Sequence, residues 1–147
     1  MSDIQSMILR GFFTDDKYMR KVIPFIQPEY FEGSQREFFK AYVGYVAKYN
    51  HIPSIDAFRV SLIDEDTLQV DQLNTALESL PKLFEKDNDT DTEWLLNQTE
   101  RWCQDRALFN AVMESITIID GKHKSLTKNA LPDILTKALG VTFDTND

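Results

Sequence analysis

The chain has 147 residues, with 16 Lys and Arg against 24 Asp and Glu and a net charge of −8. Its single cysteine, Cys103, excludes an internal disulfide and a multi-cysteine zinc site. The acidic balance argues against a free-standing nucleic-acid binder, because affinity for DNA rests largely on Lys and Arg neutralising phosphates.

Helical spacing recurs along the whole chain, and no segment keeps the alternation of a strand. Ser2 is placed to cap a first helix with Gln5 as its partner, and Ile4, Met7, Ile8 and Phe12 share one face. A second helix is expected over Thr14–Ile23, favoured at its start by Asp15 and Asp16. Pro24 interrupts it and Pro28 resets the chain, so 25–31 reads as a turned connection. Ser34 and Glu37 form a capping-box pattern ahead of Phe38, Phe39, Tyr42, Val43, Val46 and Tyr49, and Asn50 and Pro53 stop that helix. Ser54 caps a short helix through Phe58 and Leu62. After the acidic turn 64–66, Val70, Leu73, Leu77 and Leu80 recur on one face, with Pro81 closing the element.

Residues 85–92 (EKDNDTDT) contain no large apolar side chain and read as a solvated connector. A long helix is expected from Thr92 to Asp120, with Gly121 as its left-handed C-terminal cap. A short polar loop then leads to a last helix, capped by Asn129, with Pro132 in its first turn and Gly140 as its stop. The fold expected is all-α: a compact helical bundle over 1–84, an acidic connector over 85–92, and a long antiparallel helical hairpin over 93–140. Residues 141–147 follow as the start of a linker.

Catalytic signatures are missing. Gly121-Lys122 has no glycine five residues upstream to complete a phosphate loop. Asp87, Asp89 and Asp91 imitate the start of a calcium loop, but Thr92 and Gln98 stand where Gly and Glu are required. His51 and His123 are isolated, and Cys103 has no base beside it in sequence. The carboxylate pairs Asp15/Asp16 and Asp64/Asp66 fall at turns and helix starts, where capping is their first role. No catalytic, metal or cofactor residue is assigned. No apolar run approaches the roughly 18 residues of a membrane span, and the N-terminus lacks a signal-peptide layout. The expected setting is an intracellular, reducing compartment.

The long helix carries more apolar surface than one core needs. Leu108, Phe109, Val112, Met113, Ile116 and Ile119 spread around much of its circumference, and Leu131, Ile134, Leu135 and Leu139 of the closing helix cover one side only. These ten residues are the expected oligomer interface, through which a hairpin pairs with its twin from a second chain. Residues 121–140 hold four lysines against one aspartate. Lys122, Lys124 and Lys128 thus mark a loop able to face an acidic partner or DNA, although most such loops are simply solvated.

Several segments resemble, in their order, the N-terminal domain of DnaB-family replicative helicases, most closely the T-even-type phage group. They are Tyr30-Phe31-Glu32, Ile52-Pro53-Ser54-Ile55, the run Gln104-Asp105-Arg106-Ala107-Leu108-Phe109-Asn110-Ala111, and Leu131-Pro132-Asp133-Ile134 followed by Ala138-Leu139 and Phe143-Asp144. All are packing motifs. The resemblance implies a collar domain whose hairpins pair between subunits of a hexameric ring, with contacts to primase and a helicase loader. It also implies a linker and a motor domain beyond this chain, which would use ATP and magnesium to unwind DNA on single strands in the host cytoplasm. This chain, without Walker motifs, would itself be no enzyme. A different reading is a self-contained helical adaptor or helicase-loading accessory protein. A GxxxxGK[ST] motif soon after Asp147 decides for the helicase.

Overall fold

The computed structural model describes residues 3–144. Seven α-helices, and no strand, occur among the described residues: α1 (Asp3–Thr14), α2 (Asp16–Val22), α3 (Ser34–Tyr49), α4 (Ile55–Glu65), α5 (Val70–Leu83), α6 (Thr92–Ile119) and α7 (Leu131–Leu139). The all-α expectation holds. Three short 3-10 turns, at Ile23–Phe25, Pro28–Tyr30 and Lys128–Ala130, join elements where proline or a tight connection breaks regular winding.

A single residue, Asp15, separates α1 from α2. Its carboxylate accepts the Tyr18 amide at 3.1 Å and caps α2. The turn folds the Tyr18 ring against Gly11, where an added Cβ would lie 2.5 Å from Tyr18 Cε2. Glycine is required there by close approach. Phe12 then stacks on Tyr42 with centroids 5.1 Å apart, and the Tyr42 hydroxyl donates to the Phe12 carbonyl. Around them Phe13, Phe38, Phe39 and Phe58 complete a buried aromatic cluster shared by α1, α3 and α4. Ring edges and faces alternate in this cluster, the arrangement that aromatic quadrupoles favour.

The core does not end at the acidic connector. Leu95, Trp102 and Cys103, all from the first half of α6, belong to the same buried cluster. Trp102 packs on Phe31 and meets Tyr30 edge-on. The second half of α6 extends beyond the bundle, and α7 is the element with which α6 packs most extensively. The α6 terminus is a Schellman motif: Gly121, at φ 73°, donates to the Ile118 carbonyl and Lys122 donates to that of Thr117, both at 3.0 Å. The cap expected at Gly121 is therefore the one observed.

Three expected helix ends are corrected. Gly33, at φ 58°, is the N-cap of α3, and Ser34 is its first helical residue. The positive φ of Gly33, accessible to glycine, makes the turn into the helix one position earlier. Pro81 lies inside α5, which continues to Leu83; its missing amide falls near an exposed helix end, where Phe84 still donates to Leu80 at 3.2 Å. Asn129 does not cap α7, because the preceding 3-10 turn already closes Ala130 onto the Thr127 carbonyl and puts Ala130 at the cap. Ser54 does cap α4, accepting the Ala57 amide at 3.1 Å. Ser2 and the residues after 144 lie outside the described residues.

Candidate oligomer interface

Beyond the bundle, α6 shows two faces. Ala111, Ser115 and Ile118 are buried, with the Ser115 hydroxyl folded back onto the Ala111 carbonyl at 2.7 Å. Leu108, Phe109, Val112, Met113, Ile116 and Ile119 are 38–58% exposed. At 100° per residue these six occupy an arc of about 140° beside the buried one. Among the described residues, 3–84 therefore leave this stripe open, although they cover α6 further back. In α7, Leu131, Ile134 and Leu135 are half-buried and Ala138 is buried, whereas Leu139 is 73% exposed. The ten expected residues thus divide: three are half-buried, and seven present apolar surface to solvent.

The stripe is rigidly mounted. Arg106 donates from Nε to the Tyr30 carbonyl at 2.7 Å and from Nη2 to Glu32 at 3.1 Å, and its guanidinium lies 4.8 Å from the Phe109 ring centre. One turn on, the Asn110 side chain donates to the Glu29 carbonyl at 2.8 Å. The 3-10 turn after Pro28 thereby holds α6 where it leaves the bundle. No local pattern in the sequence marks these polar anchors, which join positions 74 to 81 residues apart.

A second missed feature is the path after α7. The Val141 carbonyl accepts from Gln104 at 3.0 Å; one Glu100 carboxylate oxygen accepts the Phe143 amide at 2.6 Å and the Thr142 hydroxyl at 3.1 Å. Phe143 then stacks on Phe25 with centroids 4.8 Å apart. Residues 141–143 therefore run back along α6 toward the bundle, clear of the exposed stripe. Two apolar residues amid a polar tail, Val141 and Phe143, were the sequence signal.

The lysine loop lies between α6 and α7. Lys122, Lys124 and Lys128 are exposed, and His123 Nδ1 accepts the amides of Ser125 and Leu126 to shape the turn.

The acidic residues hold structural positions. A cleft of about 450 Å³ between α1, α2 and the connector is lined in part by Asp15, Asp16 and Asp87. Asp15 caps α2 and accepts from Thr92, and Asp16 pairs with Arg20 at 2.9 Å. Asp87 accepts from the Thr90 hydroxyl and the Asp89 amide; the Thr90 bond first, then the amide, lowers its pKa below the ordinary carboxylate value. Asp91 caps α6 by accepting the Glu93 amide. Each carboxylate of the cleft is thus already engaged within the chain. Among the described residues no cluster of His, Cys, Asp and Glu could hold a metal ion. Burial pushes the Cys103 thiol up to about 12 from its ordinary 9.0, so it rests as a neutral core group. No helix among the described residues is long and apolar enough to cross a membrane.

No family model matches the chain. It is 32% identical over 149 residues to a DnaB-like replicative helicase of Enterobacteria phage T4, an alignment taking in 94% of this chain. Over that span the chain is similar to this DnaB-like replicative helicase. It spans 30% of the length of that helicase, an overlap consistent with an N-terminal domain. Two of the segments that carried the family resemblance, Tyr30-Phe31-Glu32 and Gln104–Ala111, are the pair that Arg106 ties together.

Proposed function

We propose that this chain is the N-terminal oligomerisation and partner-docking domain of a phage replicative DNA helicase. In this reading it forms part of a collar on a hexameric ring, and a motor domain outside this sequence uses ATP and magnesium to unwind DNA in the host cytoplasm. The chain itself contributes no catalytic group and holds no cofactor. Its partners are other copies of itself, the primase and the helicase loader, with single-stranded DNA engaged mainly by the motor.

One observation carries the reading: six large apolar side chains stand together on the outer half of α6, 38–58% exposed. Scattered apolar residues are normal on a protein surface, whereas a contiguous patch mounted on a rigid helix marks an interaction site. Completing their burial contributes about 1 kcal/mol per residue on each chain. The total exceeds the lower range of the several kcal/mol lost in orienting two partners. A second copy supplies a matching face by symmetry, closing two hairpins into a four-helix bundle.

The test is substitution within the stripe. Phe109→Asp and Ile116→Asp each bury a charge without a partner and should weaken self-association by more than tenfold. Both positions are exposed in the single chain, so its helical content should not change. Association unaltered in both variants would show that another face is used.

A further inference from the structure

A groove of about 340 Å³ opens between α3 and α4, away from the long helix. From α3 it receives Tyr45 and Tyr49, one helical turn apart, with ring centres separated by 4.7 Å. From α4 it receives Asp64 and Glu65, both exposed and both in the last turn of that helix. Gly44 lines it as well, and a Cβ there would meet nothing within 4 Å, so the groove stays open along α3.

The charged side chains lining the groove are Lys48, Asp64 and Glu65, one cation against two carboxylates. Lys48 pairs with neither carboxylate; its ammonium lies over the Tyr49 ring, 5.4 Å from the centre. A tyrosine face attracts a cation in this way through its quadrupole. No ion pair or side-chain hydrogen bond among the described residues engages Asp64 or Glu65, in contrast to the carboxylates of the cleft beside the connector. Their position also costs stability, because a helix C-terminus carries partial negative charge and α4 has no basic residue in its last turn. Side chains that break a local rule without internal compensation are expected where they serve binding.

We infer that this groove docks an arginine side chain from a basic segment of a partner protein. A guanidinium lays its flat face on a tyrosine ring while its edge donates to a carboxylate, and the groove offers both groups from facing helices. The excess of carboxylates selects against a nucleic acid or an acidic peptide. The inference rests on the partner-docking part of the proposed function and names the chemistry of one docked group. It does not involve the α6 stripe.

The test titrates the full chain with a short blocked peptide alternating arginine and serine, followed by amide NMR shifts. Salt of about 150 mM screens diffuse attraction to the acidic surface. Saturable shifts should fall on residues 44–49 and 61–65, and the citrulline counterpart, similar in shape without the charge, should produce none. Asp64→Asn with Glu65→Gln should weaken binding about fivefold or more, while the melting temperature holds or rises. A merely structural role for these carboxylates would lower it. Gly44→Leu, which fills the groove and leaves every charge in place, should abolish the shifts, and Lys48→Gln should strengthen binding by removing a like charge. Shifts on another face, an equal response to citrulline, or undiminished binding by the double variant overturns the inference. Docking through some other surface then still stands, and titrating the chain with the primase and the loader reads that separately.

Discussion

The Tyr18 hydroxyl lies 2.6 Å from that of Thr99, 81 positions away, and both side chains are fully buried. Thr99 already donates to the Leu95 carbonyl at 2.7 Å, so its oxygen receives the phenol hydrogen. The relay pins α2 to the first half of α6. Removing either end has a different cost. Thr99→Val leaves a buried phenol without an acceptor and should cost about 1–3 kcal/mol, whereas Tyr18→Phe removes only the donor and should cost about 0.5–1.5 kcal/mol. Urea unfolding at one fixed protein concentration measures both; a larger loss for Tyr18→Phe would contradict the assigned direction.

Gly11 and Gly44 both lie within helices, yet their alanine variants should move stability in opposite directions. A Cβ at Gly11 would meet the fully buried Tyr18 ring at 2.5 Å and should cost about 1–3 kcal/mol. At Gly44 a Cβ meets nothing within 4 Å. There alanine should add about 0.5–1 kcal/mol through the backbone alone. Paired thermal melts decide the matter.

Alkaline pH should destabilise the fold earlier than tyrosine chemistry alone would. The folded Cys103 thiol keeps its proton to about 12, against 9.0 ordinarily, because it is buried. Above pH 9 the unfolded chain sheds that proton and the folded chain does not, so the native state binds more protons and stability falls as pH rises. One pH unit above the ordinary value, this amounts to about 1 kcal/mol. Tyr18 and Tyr42, also pushed up by burial, add to the same trend from about pH 10. A Cys103→Ala variant should lose its core packing yet show a flatter decline between pH 8 and 10. An equal slope would remove Cys103 from the account.

Much of the fold was legible because local chemistry and global packing agree. The spacing of Phe38, Phe39 and Tyr42 marked α3, Ser54 marked the start of α4, and Gly121 marked the end of α6. The exposed stripe was legible as well, since six apolar residues spread over so wide an arc exceed what α7 alone can cover. What stayed hidden depends on distant partners. Nothing near Glu100 in sequence announces the Phe143 amide 43 positions later, and nothing near Tyr18 announces Thr99. Ser34 is the first helical residue and not the cap, because the positive φ of Gly33 already sets the chain's entry into α3, which a local side-chain pattern does not register.

The path of residues 141–143 rests on few bonds, most of them exposed, and should open independently of the helices. Glu100→Ala removes the acceptor for Phe143 and Thr142 together. Amide hydrogen exchange should show the Phe143 protection falling at least about tenfold, with the interior amides of α6 and α7 unchanged. Retained protection at Phe143 would mean that the Phe25 stack alone holds the segment.

On the proposed self-association, the open face of α6 is covered by a second copy of the chain. Sedimentation equilibrium across a concentration series up to roughly 100 μM tests it most directly. The weight-average mass should rise from 17.1 kDa toward at least twice that value as concentration increases. A mass that stays at 17.1 kDa throughout would contradict it.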